Sequence, residues 1–79
     1  MDIVFQLHDK LIPIEVKSTA TFNPELLANI RYFQKLVGER APFGLLVYTG
    51  PHEQLIDNIH VVNFRNLHAM LERVREQLQ

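Results

Sequence analysis

The chain opens on two short runs in which apolar residues take every second position. Ile3, Phe5 and Leu7 share one parity in the run Asp2 to Leu7, and Ile12, Ile14 and Val16 share one parity in the run Leu11 to Lys17. A period of two belongs to strands, and the polar His8-Asp9-Lys10 between the runs makes them a hairpin with one apolar face. A slip of one residue would send the two triplets to opposite faces, so the register must keep them together. A two-residue turn at Asp9-Lys10 does this by pairing Leu7 with Ile12, Phe5 with Ile14 and Ile3 with Val16. The same register sets Asp2 opposite Lys17 and places Glu15 opposite Val4, diagonal to Asp2 and within roughly 7 to 8 Å at the backbone. Asp2, Glu15 and Lys17 then form one polar cluster.

Next, Asn23-Pro24-Glu25 has the order of a helix start: a capping side chain, a proline in the first turn and an acid near the positive end of the helix dipole. Leu26 or Leu27, Ile30, Phe33 and Val37 recur at helical spacing, and Gly38 is a natural stop. The nearly continuous apolar run Phe43 to Tyr48, bounded by Pro42 and Thr49-Gly50-Pro51, reads as a strand covered on both faces and parallel to its neighbour. His52 to Asn58 reads as a loop, and Ile59 to Asn63 as a short final strand. Phe64, Leu67, Leu71, Val74 and Leu78 form the apolar stripe of a closing amphipathic helix, too short for a coiled coil. The predicted class is α/β with a mixed sheet, in the order strand, strand, helix, strand, strand, helix.

At 79 residues the chain makes one small domain, 1–79, and 47% hydrophobic with 22% charged residues is a globular balance. A formal charge of −1 excludes a module that binds nucleic acid by bulk electrostatics. No cysteine is present for a disulfide or a thiolate zinc site. No apolar run has the length of a membrane span and the start lacks a signal-peptide pattern, so the expectation is a cytoplasmic protein without a membrane partner. His8, His52, His60 and His68 form no i, i+4 pair and read as surface or turn residues, and His52-Glu53 alone carries little information. Arg65, Arg73 and Arg75 are interleaved with Glu72 and Glu76, the pattern of a solvated helix face.

The chemistry lies in the hairpin. A hard divalent cation is held by one or two carboxylates together with waters and substrate phosphate, and Asp2 and Glu15 supply such a pair. Lys17, two residues beyond Glu15, points to the same side of its strand. The alternative reading of the cluster is the solvated polar side that any half-buried hairpin needs, carrying a cross-strand ion pair.

Asp2 followed by Ile14-Glu15-Val16-Lys17-Ser18 resembles the core of the PD-(D/E)xK nuclease superfamily, which has the restriction-endonuclease-like fold. More narrowly, Asp2 to Phe5, Leu11 to Ser18, Phe22-Asn23-Pro24, Tyr32-Phe33 and Gly44 to Tyr48 resemble the C-terminal domain of unknown function found in a family of archaeal and bacterial AAA-type ATPases. The superfamily resemblance implies Mg2+ or Mn2+ bound by Asp2, Glu15 and the Val16 carbonyl, with Lys17 orienting the attacking water, in metal-dependent phosphodiester hydrolysis of DNA. Gln34, with Tyr32 on the helix after the motif, matches by position a substrate-side glutamine of some members. A surface glutamine on an amphipathic helix explains Gln34 equally well. The first helix and first strand of the superfamily core have no counterpart here, and no G-x-x-x-x-G-K-[ST] is present. The expectation is therefore a restriction-endonuclease-like core lacking its first elements, derived from a larger ATPase-associated protein. Its metal site would be incomplete, and its open sheet edge would recruit an upstream module or a second copy. The competing expectation is a non-catalytic interaction or assembly module built on the same fold.

Overall fold

The computed structural model describes residues 2–78. The elements run β1 (Ile3–Leu7), β2 (Lys10–Val16), a 3-10 turn Pro24–Leu27 leading into α1 (Ala28–Val37), β3 (Gly44–Tyr48), β4 (Gln54–Ile56), β5 (Ile59–Asn63) and α2 (Leu67–Leu78). One mixed sheet has the order β1-β2-β3-β5-β4. Its centre, β2-β3-β5, is parallel, and the hairpin partners β1 and β4 close the two edges antiparallel.

Side-chain alternation divides the core into two layers. Ile12, Ile14, Leu45, Val47 and Val62 face Val74 of α2, with Leu67, Met70, Leu71 and Leu78 packed around them. Leu46, Tyr48, Ile59 and Val61 face the other way, against Leu27 and Ile30. With β3 buried along its whole length, the unbroken apolar run of its sequence is explained. Gly44 lets α1 sit close on this strand, because a Cβ there would lie 2.5 Å from Ile30 Cγ2. The expected caps form. Asn23 Oδ1 accepts from Glu25 N at 2.9 Å and Gly38 takes φ 64 at the end of α1.

Three expectations are corrected. The hairpin turns at His8-Asp9, not Asp9-Lys10, so the pairs are Leu7 with Lys10, Phe5 with Ile12 and Ile3 with Ile14. His8 takes φ 57, as the first central residue of a tight hairpin turn does, and the two-residue shift leaves both triplets on their shared face. That face is covered only in part: Ile12 and Ile14 are buried under α2, whereas Ile3 (49% exposed), Phe5 (38%) and Val16 (47%) are not. Within the expected 52–58 loop lies β4, a three-residue edge strand turning into β5 at Asp57 (φ 55), too short and too exposed to show a period. Phe64 stands outside the closing helix, half-exposed in a 3-10 turn beneath the Arg65 guanidinium.

Candidate functional site

Glu15 sits near the carboxyl end of β2, directly beside Leu46 of β3, and therefore on the sheet face that packs against Leu27 and Ile30. A glutamate here is out of pattern, since it is 3% exposed and the other deeply buried side chains are apolar or Pro13. Its Oε1 lies 3.5 Å from Lys17 Nζ, and its buried Oε2 has no hydrogen-bond partner. Lys17 shares that face by alternation and keeps about a third of its side chain in solvent.

Continuing the β1–β2 register by one residue brings Asp2 opposite Glu15, closer than the diagonal that the sequence suggested. Asp2 is exposed, and its Oδ2 accepts the Val16 N–H at 2.8 Å, extending the hairpin by a side-chain bond. The N–H and C=O of a strand residue point to the same side, so the Val16 carbonyl also looks toward Asp2. Lys17 N donates to Val47 O at 2.8 Å, which ties the end of the motif to β3. Asp2, Glu15, Val16 and Lys17 thus meet at one corner of the sheet. Gln34 does not join them. Its amide donates to Ala41 O at 3.2 Å, near Gly44 at the opposite end of β3.

As a donor set this corner offers two carboxylates, a carbonyl and an ammonium. The unpartnered buried oxygen of Glu15 fits a cation: an uncompensated buried acceptor is costly, and a metal ion or an ordered donor removes that cost. Among the described residues no group of three or more His, Cys, Asp or Glu side chains is gathered to hold a metal by itself. A hydrated hard cation does not need one, because waters complete its shell.

A second constellation lies at the same carboxyl ends of the parallel strands, where open α/β sheets place their ligands. A cleft of about 690 Å³ is lined by Ala20, Thr21, Phe22, Tyr48 and the segment Pro51 to Gln54. Asp2, Glu15 and Lys17 are not among its walls. Glu53 Oε2 accepts from Asn66 Nδ2 at 2.7 Å and from Asn63 N at 3.0 Å, and these bonds, the first above all, hold its carboxyl below the ordinary glutamate range. Sequence reasoning missed this arrangement because its parts lie ten and thirteen residues apart. The available signal was Asn63 before the last helix, which also caps Arg65 N at 3.0 Å. His60, read from sequence as a surface residue, is half-buried beside the Phe43 ring, with Nε2 unpartnered. Burial, and secondarily Arg73, holds its pKa below the ordinary histidine value.

The fold and this corner define a small α/β domain whose mixed sheet carries an acid, acid, lysine cluster on its first hairpin. The chain belongs to the family described as "Domain of unknown function (DUF4143)", whose model matches residues 1–67. No curated protein and no solved structure matches it. Among the described residues no helix is long and apolar enough to cross a membrane.

Proposed function

We propose that this is a PD-(D/E)xK nuclease-like domain of an ATPase-associated protein, acting in Mg2+- or Mn2+-dependent phosphodiester hydrolysis with DNA as substrate. The observation that carries the reading is the Glu15 carboxylate, buried with one oxygen unpartnered, beside Lys17 and across the hairpin from Asp2. In a structural hairpin such a side chain is a liability, whereas in a metal site it is a ligand waiting for its ion. Asp2, Glu15 and the Val16 carbonyl would hold the cation, and the cation would supply Lewis acidity and a more acidic bound water. Lys17, whose side chain is about a third exposed, would bind and orient a phosphate oxygen or a water at the same corner. The Asp2–Val16 bond fixes the second carboxylate relative to the first.

The test is divalent-dependent nicking of supercoiled plasmid. Glu15→Gln and Lys17→Met should abolish it, and Glu72→Gln on the exposed face of α2 should leave it intact. Equal nicking by all variants, or none with either metal, would refute the catalytic reading.

The alternative, a non-catalytic interaction or assembly module, is favoured by a different observation. β1 is an outer strand with no charged residue between Ile3 and Leu7, and Ile3, Val4 and Phe5 are all exposed. Such an edge recruits another strand. On this reading an upstream module or a second copy pairs with β1, and association persists in the Glu15 and Lys17 variants.

A further inference from the structure

We infer that the cleft between the 20–22 and 51–54 segments is a binding site for an alkyl cation, an ammonium or guanidinium group on an apolar stem, with Glu53 as its anchor. The inference does not rest on the nuclease reading, since the two sites share no residue.

The walls are fixed before any ligand arrives. The Tyr48 hydroxyl, beneath the cleft, donates to the His52 carbonyl, and Asn63 Nδ2 donates to Gly50 O at 2.9 Å. Thr49 N bonds Thr19 O at 3.0 Å, tying the two wall segments together. Gly50 is packed so closely that a Cβ would lie 2.4 Å from the Tyr48 ring and 2.5 Å from Ala20 O. A site assembled in this way does not have to be ordered by its ligand, which lowers the cost of binding.

The chemistry of the lining selects the ligand. Glu53 is the acid among the lining residues, and no lysine or arginine is one of them. Two donors converge on its Oε2, which fixes the carboxylate and leaves Oε1 without a hydrogen bond from the described residues. These bonds lower its pKa, so the anchor keeps its charge at neutral pH. Phe22, half-buried, and Pro51 give apolar surface alongside, which suits the methylene stem of a lysine- or arginine-like group and a cation over an aromatic face. A phosphate or carboxylate ligand would meet Glu53 with like charge; the basic groups near it are His52 in the lining and Arg73, whose charge already acts on the Glu53 carboxylate.

The test is an NMR titration of the full chain with Nα-acetyl-arginine methylamide, with spermidine and with Nα-acetyl-glutamate methylamide at low salt. The expected result is saturable shifts confined to Thr21, Phe22 and His52 to Gln54 for the cations, weakened by added salt, with no response to the glutamate derivative. Preference for the arginine derivative identifies a peptide-borne side chain, and preference for spermidine a free polyamine. Glu53→Gln, which retains an acceptor for Asn63 and Asn66, should weaken binding at least tenfold. Gln54→Lys, an exposed substitution that leaves Glu53 in place, should do the same by competition. Glu15→Gln should change nothing, which separates this result from the fate of the metal site. Unlocalised shifts, tight binding of the glutamate derivative, or unchanged affinity in both cleft variants would overturn the assignment.

Discussion

Replacing Glu15 by methionine should make this protein more stable. Glu15 is 3% exposed, and its Oε2 is buried without a partner, a loss of about 1–3 kcal/mol relative to a solvated or bonded group. Against that stands one ion pair at 3.5 Å whose lysine remains partly in solvent, so the pair contributes at most about 1 kcal/mol. Methionine has similar length and adapts to irregular space, and exchanging a buried ion pair for apolar groups of similar volume is commonly neutral to stabilising by about 1–4 kcal/mol. The expected gain for Glu15→Met is about 1–2 kcal/mol, after subtraction of the lost pair. For a domain of this size that corresponds to roughly 4–16 °C in Tm. Lys17→Met should have the opposite sign, a loss between about 1 kcal/mol, as for an exposed pair, and about 3–5 kcal/mol, as for a fully buried one, because it leaves the buried carboxylate without its cation. Thermal and urea unfolding followed by circular dichroism gives both numbers. A loss of more than about 1 kcal/mol in Glu15→Met would mean that Glu15 is a structural residue, and the argument that it is kept for function would fail.

Three further outcomes follow from the packing and the titrating groups. Gly44→Ala should destabilise by about 1–3 kcal/mol in urea unfolding, because the new Cβ meets Ile30 Cγ2 at 2.5 Å; a neutral result would show that α1 shifts freely on β3. His60 has its folded pKa below the unfolded value, so the unfolded chain takes up the proton first: stability should be full above about pH 6.5 and fall as the pH drops toward the folded value. His60→Gln should flatten the difference between urea midpoints at pH 7.5 and 5.5, and an unchanged slope would refute the assignment. Phe5→Lys, placing a charge on the open edge of β1, should reduce any concentration-dependent association seen by sedimentation velocity, and equal association in variant and wild type would move the contact away from β1.

The elements whose burial pattern is simple were legible in the sequence. β3 is apolar throughout because both layers cover it, the 3-10 turn leading into α1 carries the Asn23 cap and Pro24, and α1 ends at Gly38 as expected. The hairpin's parity was legible too, but not its register. Parity fixes the register only to multiples of two residues, and the choice between His8-Asp9 and Asp9-Lys10 depends on which residue accepts a left-handed conformation. That choice moves Asp2 from a position opposite Lys17 to one opposite Glu15, so a two-residue ambiguity in a turn reorganises the candidate site. The exposure of Ile3 and Phe5 was not legible, because alternation shows which face a residue takes and not whether α2 reaches it. The Glu53 arrangement was hidden for a related reason. Its donors come from the end of β5 and the turn before α2, which approach only through the β4–β5 hairpin.

The most direct measurement is a residue-resolved NMR titration with Mg2+ and then Mn2+. A metal site here gives shifts with Mg2+, and paramagnetic broadening with Mn2+, centred on Asp2, Glu15 and Val16 and spreading to Lys17 and Leu46, all lost in Glu15→Gln. A response that is absent, or spread over exposed acids such as Asp57 and Glu72 and unaffected by Glu15→Gln, would contradict the claim that this corner of the sheet is a metal site.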